Sequence, residues 1–254
     1  NSYKASWARL ETLADKEMCK VTIDDLQAII DRDEEAGLSK SSISNDKMLM
    51  KALFKHAMER DIVSKNYSDF VELPSVPSKK QKGAFTDIQM KKLEQMAANG
   101  FPWADTVLIL CYTGFRISEF LNLTKFAYHA EGDYLKGGMK TEAGRDRIVP
   151  VHPKIKPYLL KWIKKAGEYI ICNESGGRIW YKTYCKYFSA VTTEIGVPQA
   201  TPHWCRYTAA SKMRMAGVDD LAVKRILGHS DQDITDHYTK VDISYLRKEL
   251  QKVS

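Results

Sequence analysis

Apolar residues recur at helical spacing in two segments of the N-terminal third. In residues 21–37, Thr22 can cap a helix, apolar positions follow at every third or fourth residue, and Gly37 can end it. Residues 41–60 show the cleaner amphipathic pattern. The apolar face of this second segment consists of Met50, Leu53, Phe54, Ala57 and Met58. Both segments are therefore predicted to be helices.

Another face of the second predicted helix is basic. Lys47, Lys51 and Lys55 follow one another at four-residue spacing, which places them on one side of a helix. A basic helical face is usually solvated surface. In a DNA-binding protein it is also a natural face to lie against phosphates. Both interpretations stay open at this stage, and DNA contact is the hypothesis that we carry forward.

Residues 73–83 interrupt the apolar pattern with two prolines, a glycine and a cluster of lysines. This composition is typical of a linker and marks the best domain boundary in the chain. We place the basic linker at 77–84. Its lysines could follow the backbone of a duplex that the two domains enclose; they are Lys79, Lys80 and Lys82.

Downstream of the linker the pattern changes from helices to a short β segment and back. Thr86 can cap a helix, residues 103–112 read as a buried helix, and a short helix follows from about Arg116. Four glycines separate short β-type runs in residues 126–151, which predicts a small antiparallel sheet. From Pro153 the chain is expected to be helical almost to its end. The predicted fold is mainly α with a small antiparallel β-sheet, in two domains.

Composition narrows the possible partners. The 254 residues are 44% hydrophobic and 28% charged, as in an ordinary globular protein, and the net charge of +7 favours a polyanionic partner. Five cysteines without a Cys-x-x-Cys pair argue against a disulfide framework and a cysteine zinc site, and reduced thiols fit a cytoplasmic protein. No apolar run is long enough to span a bilayer, so no membrane partner is expected.

Four short strings in the C-terminal two-thirds combine phosphate-binding and reactive side chains. They are TGFRISE at 113–119, KTEAGRDRIVP at 140–150, PHWCRYT at 202–208 and LGHS at 227–230. Tyr238 follows nine residues after the histidine of the last string. Each string alone has an ordinary explanation, such as a surface ion pair or a packed tyrosine. Their joint occurrence in this order carries the prediction.

This combination resembles the tyrosine recombinases, also called the phage-integrase family. The resemblance implies a catalytic domain over 85–254 with a C-terminal helical tail, and a smaller helical core-binding domain over 1–76. It implies that the catalytic residues are Arg116, Lys140, His203, Arg206, His229 and Tyr238, with Glu119 in support. The strings look closest to integrases of phages and conjugative transposons. Asn1 stands where an initiator Met would, as expected if an N-terminal arm-binding domain is missing.

The chemistry of the set can be argued from its side chains. Arg116 and Arg206 suit a clamp on phosphate oxygens, because guanidinium groups are planar, bidentate and permanently charged. His229 can donate one further hydrogen bond to a phosphate oxygen. Tyr238 must lose a proton, whose ordinary pKa is about 10, and His203 is the candidate base.

The leaving oxygen of DNA needs a proton, and Lys140 is the candidate acid. Lys136, four residues earlier, is a rival for this role. Glu119, one helical turn after Arg116, is expected to orient a catalytic side chain. The bond energy is stored in the phosphotyrosine link, and no carboxylate cluster or phosphate-binding Gly loop occurs in the sequence, so neither metal nor ATP is expected.

The favoured function is a site-specific recombinase acting on double-stranded DNA as a dimer or tetramer. A type IB topoisomerase and a DNA-binding protein that no longer cuts are the alternatives. The tail after Tyr238 has apolar residues at helical spacing, Ile243, Leu246 and Leu250. It could pack on its own domain, but the resemblance favours docking on a neighbouring subunit.

Overall fold

A computed structural model describes residues 2–75, 83–138, 146–228 and 242–253. The chain divides into two compact units, Asn1–Gln81 and Lys82–Ser254. The division falls inside the basic segment that the sequence marks as a linker, most of which lies outside the described residues. No helix within the described ranges is long and apolar enough to cross a membrane.

The first unit is built from α1, Ser2–Arg9, α2, Ile23–Glu35, and α3, Lys40–Met58, with short 3-10 turns at Leu10–Leu13, Met18–Lys20 and Tyr67–Phe70. Helix α2 begins where the sequence predicts, because the Thr22 hydroxyl accepts the Asp25 amide and the Asp25 carboxylate accepts the Thr22 amide. Both helices predicted from periodicity are confirmed. Helix α1 was not predicted.

A buried ion cluster ties the three helices of the first unit together. Arg9 lies 2.6 Å from the Asp46 carboxylate and 3.3 Å from that of Asp33. Arg32 pairs with the other oxygen of Asp33 at 2.9 Å. Both carboxylates are almost fully buried, and two guanidinium groups face them. The cluster is formally neutral.

The second unit is mostly helical, with elements α4, Asp87–Ala98, α5, Ala104–Thr113, α6, Ile117–Phe120, α7, Lys156–Ile163, α8, Tyr181–Glu194, α9, Pro202–Met215, α10, Asp220–Leu227, and α11, Ile243–Leu250. Helix α5 is buried along its whole length and packs on α4, α7, α8 and α9. At its end Gly114 has a φ of 62°, and a side chain there would meet Leu227 at 2.5 Å. The turn after α5 therefore needs glycine.

One small sheet completes this unit. Strands β1, Tyr128–His129, β2, Tyr134–Gly137, and β3, Arg147–Pro150, pair antiparallel in sequence order. Leu135 lies opposite Val149, and both side chains are buried in the core. The predicted fold class, mainly α with a small antiparallel sheet, is confirmed.

The expectation of nearly continuous helix after Pro153 is wrong for residues 164–180. This segment is irregular and forms isolated bridges from Tyr169 to Thr124 and from Cys172 to Arg178. Gly167 and Gly176 have φ values of 95° and 80°, and a Cβ on Gly167 would lie 2.0 Å from the Gly176 carbonyl oxygen. Two backbones this close require glycine at both positions, and the resulting turns exclude a helix.

Helix α11 packs on its own unit in this structure. Leu246, Leu250 and Val253 are buried in the core, and α11 contacts β3 and α10. The His152 ring nitrogen Nε2 lies 2.8 Å from the Val253 carbonyl oxygen. Docking of the tail on a neighbouring subunit stays a prediction, and it would require the helix to leave these contacts.

Candidate active site

Arg116 lies at the turn that joins α5 to α6. It is the residue before α6, and its backbone N–H and its Nη1 both donate to Glu119, at 2.9 Å each. The Arg116 side chain is 23% exposed, so it is held on one side and open on the other. Its guanidinium is therefore oriented by the protein while part of it remains accessible.

Glu119 is a buried carboxylate that two arginines share, Arg116 and Arg147. Its side chain is 1% exposed, and its Oε2 also accepts a hydrogen bond from Arg147 Nη2 at 2.8 Å. Burial opposes ionisation, but the hydrogen bonds and charges of Arg147 and Arg116 outweigh it and hold the Glu119 pKa below its ordinary value. Glu119 contacts Arg116, and its supporting role in catalysis stays a prediction.

Arg206 lies on α9 beside the same turn. Its Nη1 donates to the carbonyl oxygen of Gly114 at 2.8 Å, two residues before Arg116. Its Nη2 is buried, and no acceptor within the described part of the chain bonds to it. Burial, and then the charges of Arg116 and Arg147, lower the Arg206 pKa to about 10, so the group is still protonated at neutral pH.

Arg147 joins this group, although the sequence did not single it out. Its side chain is 2% exposed, its Nε donates to the Ile226 carbonyl oxygen at 3.0 Å, and its guanidinium lies 4.4 Å from the Phe115 ring centre. The only sequence signal is an arginine that starts a strand of otherwise apolar residues. Arg116 and Arg147 both pair with Glu119, and Arg206 lies close enough to be affected by their charges. The three guanidinium groups and one carboxylate together carry a formal charge of +2.

His203 lies in the first turn of α9, one turn before Arg206. It is exposed, and its ring packs edge-on against Tyr207 with the ring centres 4.7 Å apart. Helix α9 begins with Pro202, and the amide dipoles at its start favour negative charge nearby. The structure therefore brings Arg116, Glu119, Arg206 and this end of α9 to one region.

Three expected catalytic residues, Lys140, His229 and Tyr238, lie outside the described residues. The rival Lys136 is described: it is exposed on β2 and lines a pocket of about 340 Å³ together with Glu119 and Asn122. Lys136 thus faces the same pocket as Glu119, the carboxylate that Arg116 contacts. Lys136 stays the rival of Lys140 as the predicted proton donor.

The three lysines on the basic face of α3 differ in how strongly other residues of the protein already bind them. Lys47 is half-buried and donates to the Val71 carbonyl oxygen at 2.6 Å. Lys51 pairs with Asp69 at 2.8 Å on the surface. Lys55 is the most exposed of the three and lies 4.0 Å from Glu59. Lys79, Lys80 and Lys82 lie outside the described residues.

The arrangement in the second unit suits an anion with several oxygens. Buried guanidinium groups with a net positive charge bind such an anion without the reorganisation that surface lysines need. In the described ranges, no group of three or more His, Cys, Asp or Glu side chains could hold a metal ion. The chemistry that the described residues support is charge stabilisation at a phosphate.

Comparisons with known proteins agree with this chemistry. A model of the phage integrase family matches residues 84–244. The tyrosine recombinase XerD of Oceanobacillus iheyensis is 24% identical over 246 residues, which cover 90% of this chain and 80% of that protein. The alternatives of a topoisomerase and of a protein that no longer cuts are not favoured by these matches.

Two solved structures share the fold. The Tn1549 transposon integrase in complex with circular intermediate DNA gives a TM-score of 0.75 at 22% identity, covering 98% of this chain and 93% of that one. A lambda integrase tetramer bound to a Holliday junction gives a TM-score of 0.71 at 16% identity, covering 97% and 71%. At these identities the likeness is evidence for the fold alone.

Proposed function

Because this chain belongs to the phage integrase family, we propose that it is a site-specific recombinase that cleaves and rejoins DNA through a phosphotyrosine intermediate. The observation that carries the proposal is the excess charge in the second unit. Arg206 Nη2 is buried without an acceptor among the described residues, beside Arg116 and Arg147. An unpaired buried donor is costly, and a DNA phosphate would satisfy it.

Arg116 and Arg206 hold the scissile phosphate. Arg206 offers Nη2, and Arg116 offers the part of its guanidinium that does not contact Glu119. Attack on phosphorus places additional negative charge on the nonbridging oxygens. Donors fixed in place before the reaction stabilise that charge most effectively. His229 is the third donor of this set.

Tyr238 is the nucleophile. Its oxygen forms a bond to phosphorus while the bond from phosphorus to the DNA oxygen breaks. His203, at the exposed start of α9, accepts the phenol proton, and Lys140 gives a proton to the leaving DNA oxygen. A DNA hydroxyl later attacks the phosphotyrosine, which restores Tyr238 and joins the strands. This sequence of steps balances without metal or ATP.

Double-stranded DNA and further copies of the chain are the partners. The DNA-bound forms of the Tn1549 and lambda integrases, the latter a tetramer, support this assembly. The first unit acts as the core-binding domain, with Lys55 and Lys51 of α3 and the linker lysines near phosphates. We place the protein in the bacterial cytoplasm with its DNA.

The C-terminal tail docks on a neighbouring subunit when DNA is bound. In the structure, α11 buries Leu246 and Leu250 against its own unit, so exchange to a neighbour would keep these apolar contacts covered. Deletion of 242–254 is expected to weaken DNA-bound assembly and cleavage. Unchanged assembly and cleavage would contradict the docking.

The test of the function is trapping of the covalent adduct on a duplex with a nick near the cleavage point. Escape of the short product prevents rejoining, so the adduct accumulates. Tyr238→Phe removes the nucleophile and should abolish the adduct while DNA binding persists. Tyr184→Phe is the matched control, since Tyr184 is fully buried in the core of the same unit, with its hydroxyl 3.1 Å from that of Thr106. Absence of adduct from the parent protein, or adduct from Tyr238→Phe, would refute the proposal.

A further inference from the structure

We infer that Arg147 is a positioning residue that acts through Glu119 to present Arg116 to the scissile phosphate, an inference that rests on the proposed function. The carrying observation is one continuous chain of charged hydrogen bonds. Arg147 Nη2 donates to Glu119 Oε2 at 2.8 Å, and Glu119 Oε1 accepts from Arg116 Nη1 at 2.9 Å. The Arg116 backbone N–H completes the fixation by donating to Glu119 Oε2 at 2.9 Å.

The burial of Arg147 calls for an explanation beyond stability. A fully buried ion pair is often no more stabilising than apolar residues of the same volume. Arg147 begins β3, where Val149, two residues on and therefore on the same face, is fully buried, so an apolar side chain suits this face of the strand. Arginine at this position therefore fits a role in which its charge and fork-shaped geometry are used.

Charge distribution shows what Arg147 contributes to Arg116. If Glu119 faced Arg116 alone, its carboxylate would neutralise the guanidinium that must bind phosphate. With Arg147 buried beside it, Glu119 is shared between two cations, and the cluster keeps a formal charge of +2 after Arg206 is included. Arg147 thus lets Glu119 fix Arg116 without cancelling its charge.

The other contacts of Arg147 hold the turn that carries Arg116 in place. Its Nε donates to the carbonyl oxygen of Ile226 near the end of α10, and its guanidinium packs on Phe115, the residue before Arg116. One side chain therefore joins β3, the end of α10 and the turn that carries Arg116. A lysine would keep the charge and lose this fork, because an ammonium cannot make the same planar set of contacts.

The test uses duplexes whose scissile phosphate carries sulfur in place of either nonbridging oxygen, as separate Rp and Sp diastereomers. The ratio of their cleavage rates reports how the arginines meet the two oxygens. Arg116→Lys should change this ratio. Arg147→Lys should slow cleavage of ordinary DNA roughly 10- to 100-fold, in line with the cost of misplaced catalytic groups, and should change the ratio in the same direction. The double variant should show no further change.

Controls separate this role from stability and from the function itself. Tyr184→Phe removes a buried hydrogen bond to Thr106 in the same unit and should leave the ratio unchanged. If Arg147→Lys does not fold, Glu119→Gln is the second variant. It breaks the ionic connection from Arg147 to Arg116, and it should shift the rate ratio in the same direction as Arg147→Lys. A parental ratio in Arg147→Lys or Glu119→Gln, an additive double variant, or a parental ratio in Arg116→Lys would each overturn the inference. Failure of the parent protein to cleave would instead refute the proposed function.

Discussion

The two units bury their charges in different ways. In the first unit, Arg9 and Arg32 face Asp33 and Asp46, and the cluster is formally neutral. In the second, arginines outnumber carboxylates three to one around Glu119, and Arg206 keeps a buried Nη2 without an acceptor in the described part of the chain. In the first arrangement each carboxylate faces a guanidinium of the protein, although Asp33 Oδ2, 3.3 Å from Arg9 Nε, makes no hydrogen bond within the described residues. In the second, the charges do not balance, and under the proposed function a DNA phosphate supplies the missing negative charge.

This difference separates structural from functional burial of charge. A balanced buried cluster loses stability when one partner is removed, because the remaining charge has no counterpart. An unbalanced cluster of like charges carries repulsion that is relieved when a ligand binds or when one charge is removed. Substitutions that break each cluster in turn, followed by one on the exposed basic face of α3, test this contrast.

The largest effect is expected from Arg206→Met. It removes the buried donor offered to the phosphate, and loss of one such donor lowers the rate by about 1000-fold. Single-turnover cleavage of the nicked duplex measures it. Arg214→Met, an exposed position on the same helix, is the control and should cleave like the parent. Cleavage by Arg206→Met within tenfold of the parent would contradict the prediction.

Arg9→Met should give the next largest effect, on stability instead of chemistry. It leaves Asp46 buried without its cation, which costs about 3 kcal/mol of the free energy of unfolding. Denaturant unfolding followed by circular dichroism measures it. Arg32→Met is the control: Arg32 is 43% exposed and its pair with Asp33 should be worth less than about 1 kcal/mol. Equal losses of unfolding free energy in Arg9→Met and Arg32→Met would contradict the prediction.

Glu119→Gln tests the carboxylate that Arg116 and Arg147 share in the second unit. The Glu119 pKa lies below its ordinary value of 4.5, so the ionised group stabilises the fold above that pH. This contribution is lost as the pH falls from about 4.5 through the lowered pKa. The parent should therefore lose stability more steeply below pH 4.5 than Glu119→Gln. At neutral pH the variant should cleave about tenfold more slowly, equivalent to one charged hydrogen bond.

The same comparison of stability against pH can contradict the prediction for Glu119. Parallel stability curves for the parent and Glu119→Gln below pH 4.5 would mean that the carboxylate is not held ionised by Arg147 and Arg116. The measurement requires only thermal unfolding at several pH values.

The smallest effect is expected on the basic face of α3. Lys55→Ala should weaken DNA binding a few-fold and reduce the salt slope of log affinity by about 1, as for loss of one phosphate contact. Lys47→Ala should change stability more than the salt slope, because Lys47 already bonds to the Val71 carbonyl oxygen. Fluorescence anisotropy at several salt concentrations distinguishes the two variants. A larger salt effect from Lys47→Ala would reverse the assignment.

Much of the fold could be predicted from local patterns. Helices α2 and α3 follow from apolar periodicity and caps, and the sheet follows from glycines between β-type runs. Helix α1 was not predicted, because its large apolar residues, Tyr3 and Trp7, remain about half exposed and form no clear apolar stripe. The irregular segment at 164–180 was not predicted because it depends on the close approach of two turns nine residues apart, at Gly167 and Gly176, and helical periodicity does not show such a contact.

The sequence predicts those contacts of the site that join residues close together along the chain. Arg116 and Glu119 are one helical turn apart, and the structure pairs them. Arg147 could not be found in this way, because its partners Glu119 and Ile226 lie 28 and 79 residues away along the chain. Lys47 likewise bonds to the carbonyl oxygen of Val71, 24 residues away along the chain, so the sequence could not show this contact. The family membership expected from the four strings is confirmed.

The most direct test of the contrast is the free energy of unfolding of Arg206→Met beside that of Arg9→Met. Relief of repulsion from Arg116 and Arg147 should offset the lost hydrogen bond to Gly114, so Arg206→Met should unfold within about 1 kcal/mol of the parent while losing cleavage. Arg9→Met should lose about 3 kcal/mol. An equally large loss in Arg206→Met would show that Arg206 holds the fold, and would contradict the assignment of the second cluster to phosphate.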